Sequence, residues 1–150
     1  MTAPFPHHYE VKLSSPRQGG AELYAAGAPP ITGGAPMEFA GRDTWWSPEH
    51  LLLSSLSLCL MTTFEAIAAK ARLTVLRYDC RAEATLERTG QGLGFTALGL
   101  HVQVEVAPAD AARAPRLLAS AKKHCIVANA LRPLVTVDLT VRAPAVAGAA

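Results

Sequence analysis

The chain has 150 residues, of which 50% are apolar, 17% are charged and three are cysteine, with a formal net charge of +2. That length suits one domain able to bury roughly two thirds of its unfolded surface, and the composition is globular rather than disordered. The charge is too small to imply a nucleic-acid or membrane partner, and the only adjacent basic pair is Lys122-Lys123.

The opening MTAPFPHHYE lacks the basic and apolar regions of a signal peptide. The longest apolar stretch, residues 51–61, is too short and too serine-rich to span a bilayer. A cytoplasmic location is expected, where cysteines stay reduced and form no disulfide framework.

Residues 1–47 are rich in Gly and Pro, with strand-like pieces at 9–13 and 37–40 and turns at 16–20, 27–30 and 32–36. Residues 1–7 and 143–150 read as disordered tails of a single domain. Ser47 is a natural N-cap, Pro48 fits the first helical position and Glu49 suits the positive end of a helix dipole. A helix is predicted from there to about residue 71. Its apolar residues cover nearly every face, so it must be wrapped by protein, and a partner subunit is expected.

Strict alternation over 74–87 predicts a half-buried strand, with Tyr78, Cys80, Ala82, Ala84 and Leu86 on the inward face. Cys80 there reads as structural. A turn at 89–92 leads into a second strand whose Leu98, Leu100, Val102, Val104 and Val106 share a face. A helix follows over about 110–123, its start delayed or kinked by Pro115, then a short helix at 125–131 and a last strand at 134–141. The order ββ(β)–α–ββ–α–α–β is that of an α+β protein with antiparallel sheet.

Two cysteines stand out. Cys59 lies mid-helix among leucines and Cys125 lies in AKKHCIVANAL. Neither has a cysteine two or three residues away, so neither reads as a zinc knuckle or a Cys-x-x-Cys redox motif. Two thiols this far apart suggest a redox pair assembled by the fold. The competing reading is plain burial, since free Cys is among the most buried residue types. The histidines show no metal-ligand spacing and the glycines form no nucleotide-binding pattern, so neither a metal nor a cofactor is expected.

The segment WSPEHLLLSSLSLCLMTTFEAIAAKARL, followed by AKKHCIVANAL before the final strand, resembles the osmotically inducible protein C / organic hydroperoxide resistance (OsmC/Ohr) family. The resemblance covers about residues 8–142. It implies antiparallel sheets wrapped around a long central helix in an intertwined homodimer, with active sites at the subunit interface. It also implies a peroxidase that reduces organic hydroperoxides with Cys59 as reactive thiol and Cys125 as resolving thiol, aided by Arg17 and Glu49. A dithiol reductant, of lipoyl type or another small thiol donor, would reopen the disulfide. Many hydroperoxide-specific members carry Pro after the second cysteine, where this chain has Ile126, which is closer to the general OsmC-like branch.

Chemistry adds constraints. Burial would push the Cys59 thiol above its free value of about 8.5, and a nearby guanidinium would reverse that shift. Arg17 is the expected cation, with Glu49 holding its fork and Arg42 as the substitute. Glu49 and Cys59 are ten residues apart, about 15 Å of helix rise, so a shared site needs Arg17 as a bridge or Glu49 from a second subunit. Two other functions stay open: a non-catalytic protein that binds a hydrophobic small molecule, and a thiol redox sensor without turnover.

Overall fold

The computed structural model describes residues 4–16, 20–132 and 134–144. Of the expected tails, residues 4–7, 143 and 144 carry neither helix nor strand, and the remaining tail positions lie outside the described residues. The chain divides into two compact units between Leu52 and Leu53.

The first unit is an antiparallel meander of β1 (Val11–Ser14), β2 (Gly20–Ala25) and β3 (Ile31–Gly34). Val11 pairs with Ala25 and Gly20 with Gly34. The stretch expected as a turn over 32–36 is instead largely β3, and the expected strand at 37–40 is a 3-10 turn at Met37–Phe39. The reason is a close approach. Trp46 donates its N–H to Thr32 and accepts from Gly34, holding this segment extended beside the chain that enters the long helix. Gly33 permits it, because a Cβ there would lie 2.9 Å from the Trp46 carbonyl oxygen. That anchor leads directly into Ser47, whose Oγ accepts from the His50 amide at 3.2 Å as a buried N-cap.

Helix α1 runs Pro48–Lys70, as its cap and leading proline dictate. By length and composition it is long and apolar enough to cross a bilayer, longer than the apolar stretch legible in the sequence. Within the second unit it uses those side chains otherwise: Leu56, Leu60, Phe64 and Ala68 recur every four residues and are buried in the core. Leu58, on another face, is 58% exposed. Arg72, with φ of 52°, ends the helix in a left-handed turn that returns the Leu73 amide to the Ala68 carbonyl.

The second unit's sheet has the order β4 (Val75–Thr89), β5 (Gly92–Val106), β6 (Val135–Arg142). The first two make the expected long hairpin. Leu98, Leu100, Val102, Val104 and Val106 form its buried face. An irregularity between Thr85 and Leu86 turns the β4 alternation, and Leu86 is exposed instead of inward. The last strand runs parallel to β5, a pairing made possible by the helical crossover between them. That crossover is α2 (Ala114–His124) and α3 (Ile126–Ala130). Pro115 sits in the first turn of α2, where its missing N–H costs nothing, so the helix starts after it is reached rather than at 110.

Candidate functional site

The site is assembled where α1 meets the junction of α2 and α3. Cys125 is that junction. Its extended backbone, φ −67° and ψ 110°, closes α2 and serves as N-cap of α3. A helix leaves its first amides without intrahelical partners, and here those of Ile126 and Val127 find one in the Cys59 sulfur. The Cys125 side chain, fully buried, meets the same sulfur. Thr63, one helical turn beyond Cys59 on α1, adds its hydroxyl. Cys59 itself is only half-buried, so its sulfur is open to a reactant.

These contacts decide which thiol carries charge. Burial opposes ionisation of Cys59, but the Val127 amide, the Cys125 thiol, the Ile126 amide and the Thr63 hydroxyl together outweigh it and hold the thiol below its ordinary value. Cys125 moves the other way. Its burial, with the hydrogen bond it gives and the negative charge of Cys59, exceeds the help of the Ala128 and Val127 amides and pushes it up. The pair therefore rests with the charge on Cys59 and the proton on Cys125. No cation is among the groups that lower Cys59, in contrast to the expectation that only a guanidinium could do so.

The third thiol shows how specific this is. Cys80 shares the inward face of β4 with Tyr78 and packs on the same core. Burial pushes it up, and the Ser57 and Tyr78 hydroxyls do not compensate. Hydroxyls alone fail where a pair of amides succeeds. The Tyr78 hydroxyl is itself buried, lies beside the Cys80 thiol, and is raised well above the usual phenol range by that burial.

Arg17 lies outside the described residues. Glu49 stands in the first turn of α1, with Oε2 buried and without a hydrogen-bond partner among the described residues. Arg42 stacks its guanidinium over the Trp45 ring, 4.8 Å from its centroid. Among the described residues no cluster of His, Cys, Asp and Glu could hold a metal ion.

Reading the sequence missed Thr63, Ile126 and Val127. Thr63 was within reach, because four residues after Cys59 is the same helix face. The two amides carried no signal, since any non-proline residue supplies one.

Comparison with known proteins agrees with this arrangement. The family described as OsmC-like protein matches residues 41–140. The chain is 25% identical over 92 residues to the protein named peroxiredoxin OsmC from Escherichia coli, and equally to that from Shigella flexneri. The match takes in 61% of this chain and 64% of those relatives, so it spans less than two thirds of their length. Its fold is similar to an OsmC-like protein of unknown function from Vibrio cholerae, with TM-score 0.82, 19% identity, and coverage of 90% of this chain and 100% of that one. It is also similar to an organic hydroperoxide resistance protein from Elizabethkingia anophelis, with TM-score 0.73, 18% identity, and coverage of 94% and 99%. With an α+β fold of two sheets and a long helix, and a family match over two thirds of its length, the chain belongs to the OsmC-like protein family.

Proposed function

We propose that the protein is a thiol-dependent peroxidase that reduces organic hydroperoxides, with Cys59 as the attacking thiol and Cys125 as the resolving thiol. The observation that carries this reading is the opposed pair of thiols in contact, one favoured as thiolate and half-exposed, the other kept protonated and buried. A peroxidatic thiol must be ionised and reachable, and its resolver must wait beside it.

The Cys59 thiolate attacks the terminal oxygen of the hydroperoxide. An S–O bond forms, the O–O bond breaks, and an alkoxide departs to become the alcohol. Cys125 then attacks the Cys59 sulfenic sulfur, forming the disulfide and expelling hydroxide, which water protonates. A dithiol reductant, of lipoyl type or another small donor, reopens the bond by exchange. The apolar side chains along α1 favour alkyl or fatty-acyl hydroperoxides over hydrogen peroxide.

In this reading Arg17 assists the thiolate and the buried Glu49 carboxylate holds its fork. The chain acts as one domain in an intertwined homodimer with interface active sites, working in the cytoplasm. Exposed apolar side chains such as Val11, Leu13 and Leu58 support the dimer. The family match over 41–140 crosses the boundary between the two units, which supports a single domain.

The test is intact mass and non-reducing peptide mapping after one equivalent of cumene hydroperoxide on reduced protein. Loss of two hydrogens with a Cys59–Cys125 cross-link is expected. Unchanged thiols, or multiple turnovers by Cys59→Ser, would overturn the reading.

A further inference from the structure

We infer that Cys125 is also the general acid of the first step: the S–H that it aims at the Cys59 sulfur protonates the departing alkoxide, and the thiolate so formed closes the disulfide. This rests on the peroxidase reading and assigns a second role within the same site.

The argument begins from the leaving group. Attack on an alkyl hydroperoxide releases an alkoxide, a strong base that leaves slowly unless a proton meets it. Four groups besides the surrounding apolar side chains act on the Cys59 sulfur: the Val127 and Ile126 amides, the Thr63 hydroxyl and the Cys125 thiol. Amides and alcohols do not ionise near neutral pH, and a guanidinium such as that of Arg17 does not give up its proton. From β4, the Tyr78 phenol and the Cys80 thiol are both held protonated by burial, and they lie beside each other. Cys125 alone combines an ionisable proton with contact at the reacting sulfur.

The resting asymmetry then has a purpose. While Cys59 is a thiolate, its charge is one of the causes that keep Cys125 protonated. Attack consumes that charge as the S–O bond forms. Cys125 becomes a stronger acid at the moment a proton is needed, and a nucleophile once it has given it. Atoms and electrons balance: the proton passes from the Cys125 sulfur to the alkoxide oxygen, S–O forms as O–O breaks, then S–S forms as S–O breaks and hydroxide leaves. The hydroperoxide gains two electrons and the two sulfurs lose them.

A resolving role alone predicts that Cys125 is silent in the first step. An acid role predicts dependence on the leaving group. The experiment measures single-turnover oxidation of Cys59, by rapid quench and dimedone capture, in the unaltered protein and in Cys125→Ser. The oxidants are tert-butyl hydroperoxide, which releases an alkoxide, and peracetic acid, which releases acetate and needs no proton. Serine keeps the size and the hydrogen bond but is a far weaker acid. Cys125→Ser should slow the alkyl hydroperoxide roughly a hundredfold while changing the peracid less than about threefold. In the unaltered protein, a solvent deuterium isotope effect should accompany the alkyl hydroperoxide and be absent with the peracid, a readout independent of whether the variant folds. Equal slowing with both oxidants, no slowing with either, or no difference in isotope effect would overturn the acid role and leave the peroxidase intact. Oxidation of the unaltered protein by neither oxidant would overturn the peroxidase reading, and this role with it.

Discussion

The backbone N–H of Ile126 donates to the sulfur of Cys59, a contact between the first turn of α3 and the middle of α1. Val127 adds a second amide. Two main-chain dipoles thus stand where a charged side chain was expected. They are fixed by the α2–α3 turn and need no reorganisation when the thiolate forms. A proline after Cys125 would lack the first of these donors.

Replacing Ile126 by proline therefore isolates one donor. Proline suits the first position of a helix and the extended backbone of Cys125 before it, so α3 should persist. With one donor gone, the Cys59 pKa rises. Alkylation of reduced protein by iodoacetamide, followed by mass mapping, should show the Cys59 midpoint below about 8.5 in the unaltered chain and shifted upward in Ile126→Pro. The rate near pH 7 should fall about three- to tenfold. The sign for folding follows: the lowered thiol contributes stability above its unfolded value that is lost as pH falls through its folded value. Cys80, pushed up by burial, is the internal control and should not respond. An unmoved Cys59 midpoint would remove the amide from the account.

The partner of the buried Glu49 oxygen separates two arginines. Arg42 is already engaged with the Trp45 ring, which leaves Arg17 as the better candidate for the carboxylate. Arg17→Met should slow single-turnover hydroperoxide reduction more than about tenfold, and Arg42→Met less than about threefold. Glu49→Gln should follow Arg17→Met in direction. The reverse ranking would transfer the role to Arg42.

Two residues of α1 probe packing and assembly separately. Phe64 is fully buried, and Phe64→Ala should cost about 3–5 kcal/mol in urea unfolding. Leu58 is 58% exposed in the single chain, so its loss should matter only where a second copy covers it. Sedimentation should give about twice the 15.8 kDa chain mass for the unaltered protein and a shift toward the single chain for Leu58→Asp. A monomeric unaltered protein would remove the dimer.

Much of this was legible in the linear chain because it is local or periodic. Ser47 with Pro48 states where α1 begins, since capping depends on residues a few positions apart. Period-two alternation marks both strands of the long hairpin and its buried face. The same logic failed around residues 32–40, where glycine and proline suggested turns but a hydrogen-bonded approach of Trp46 holds β3 extended. It failed at Leu86, where an irregularity in pairing moved a side chain off its expected face.

The sequence by itself determined the two cysteines, the order of elements and the helix that carries Cys59, because residue type, capping and periodicity are properties of neighbours along the chain. Only the tertiary structure decided which thiol is activated. Burial raises every buried thiol alike, and the difference between Cys59 and Cys125 comes from amides that any sequence offers but only the α2–α3 turn aims.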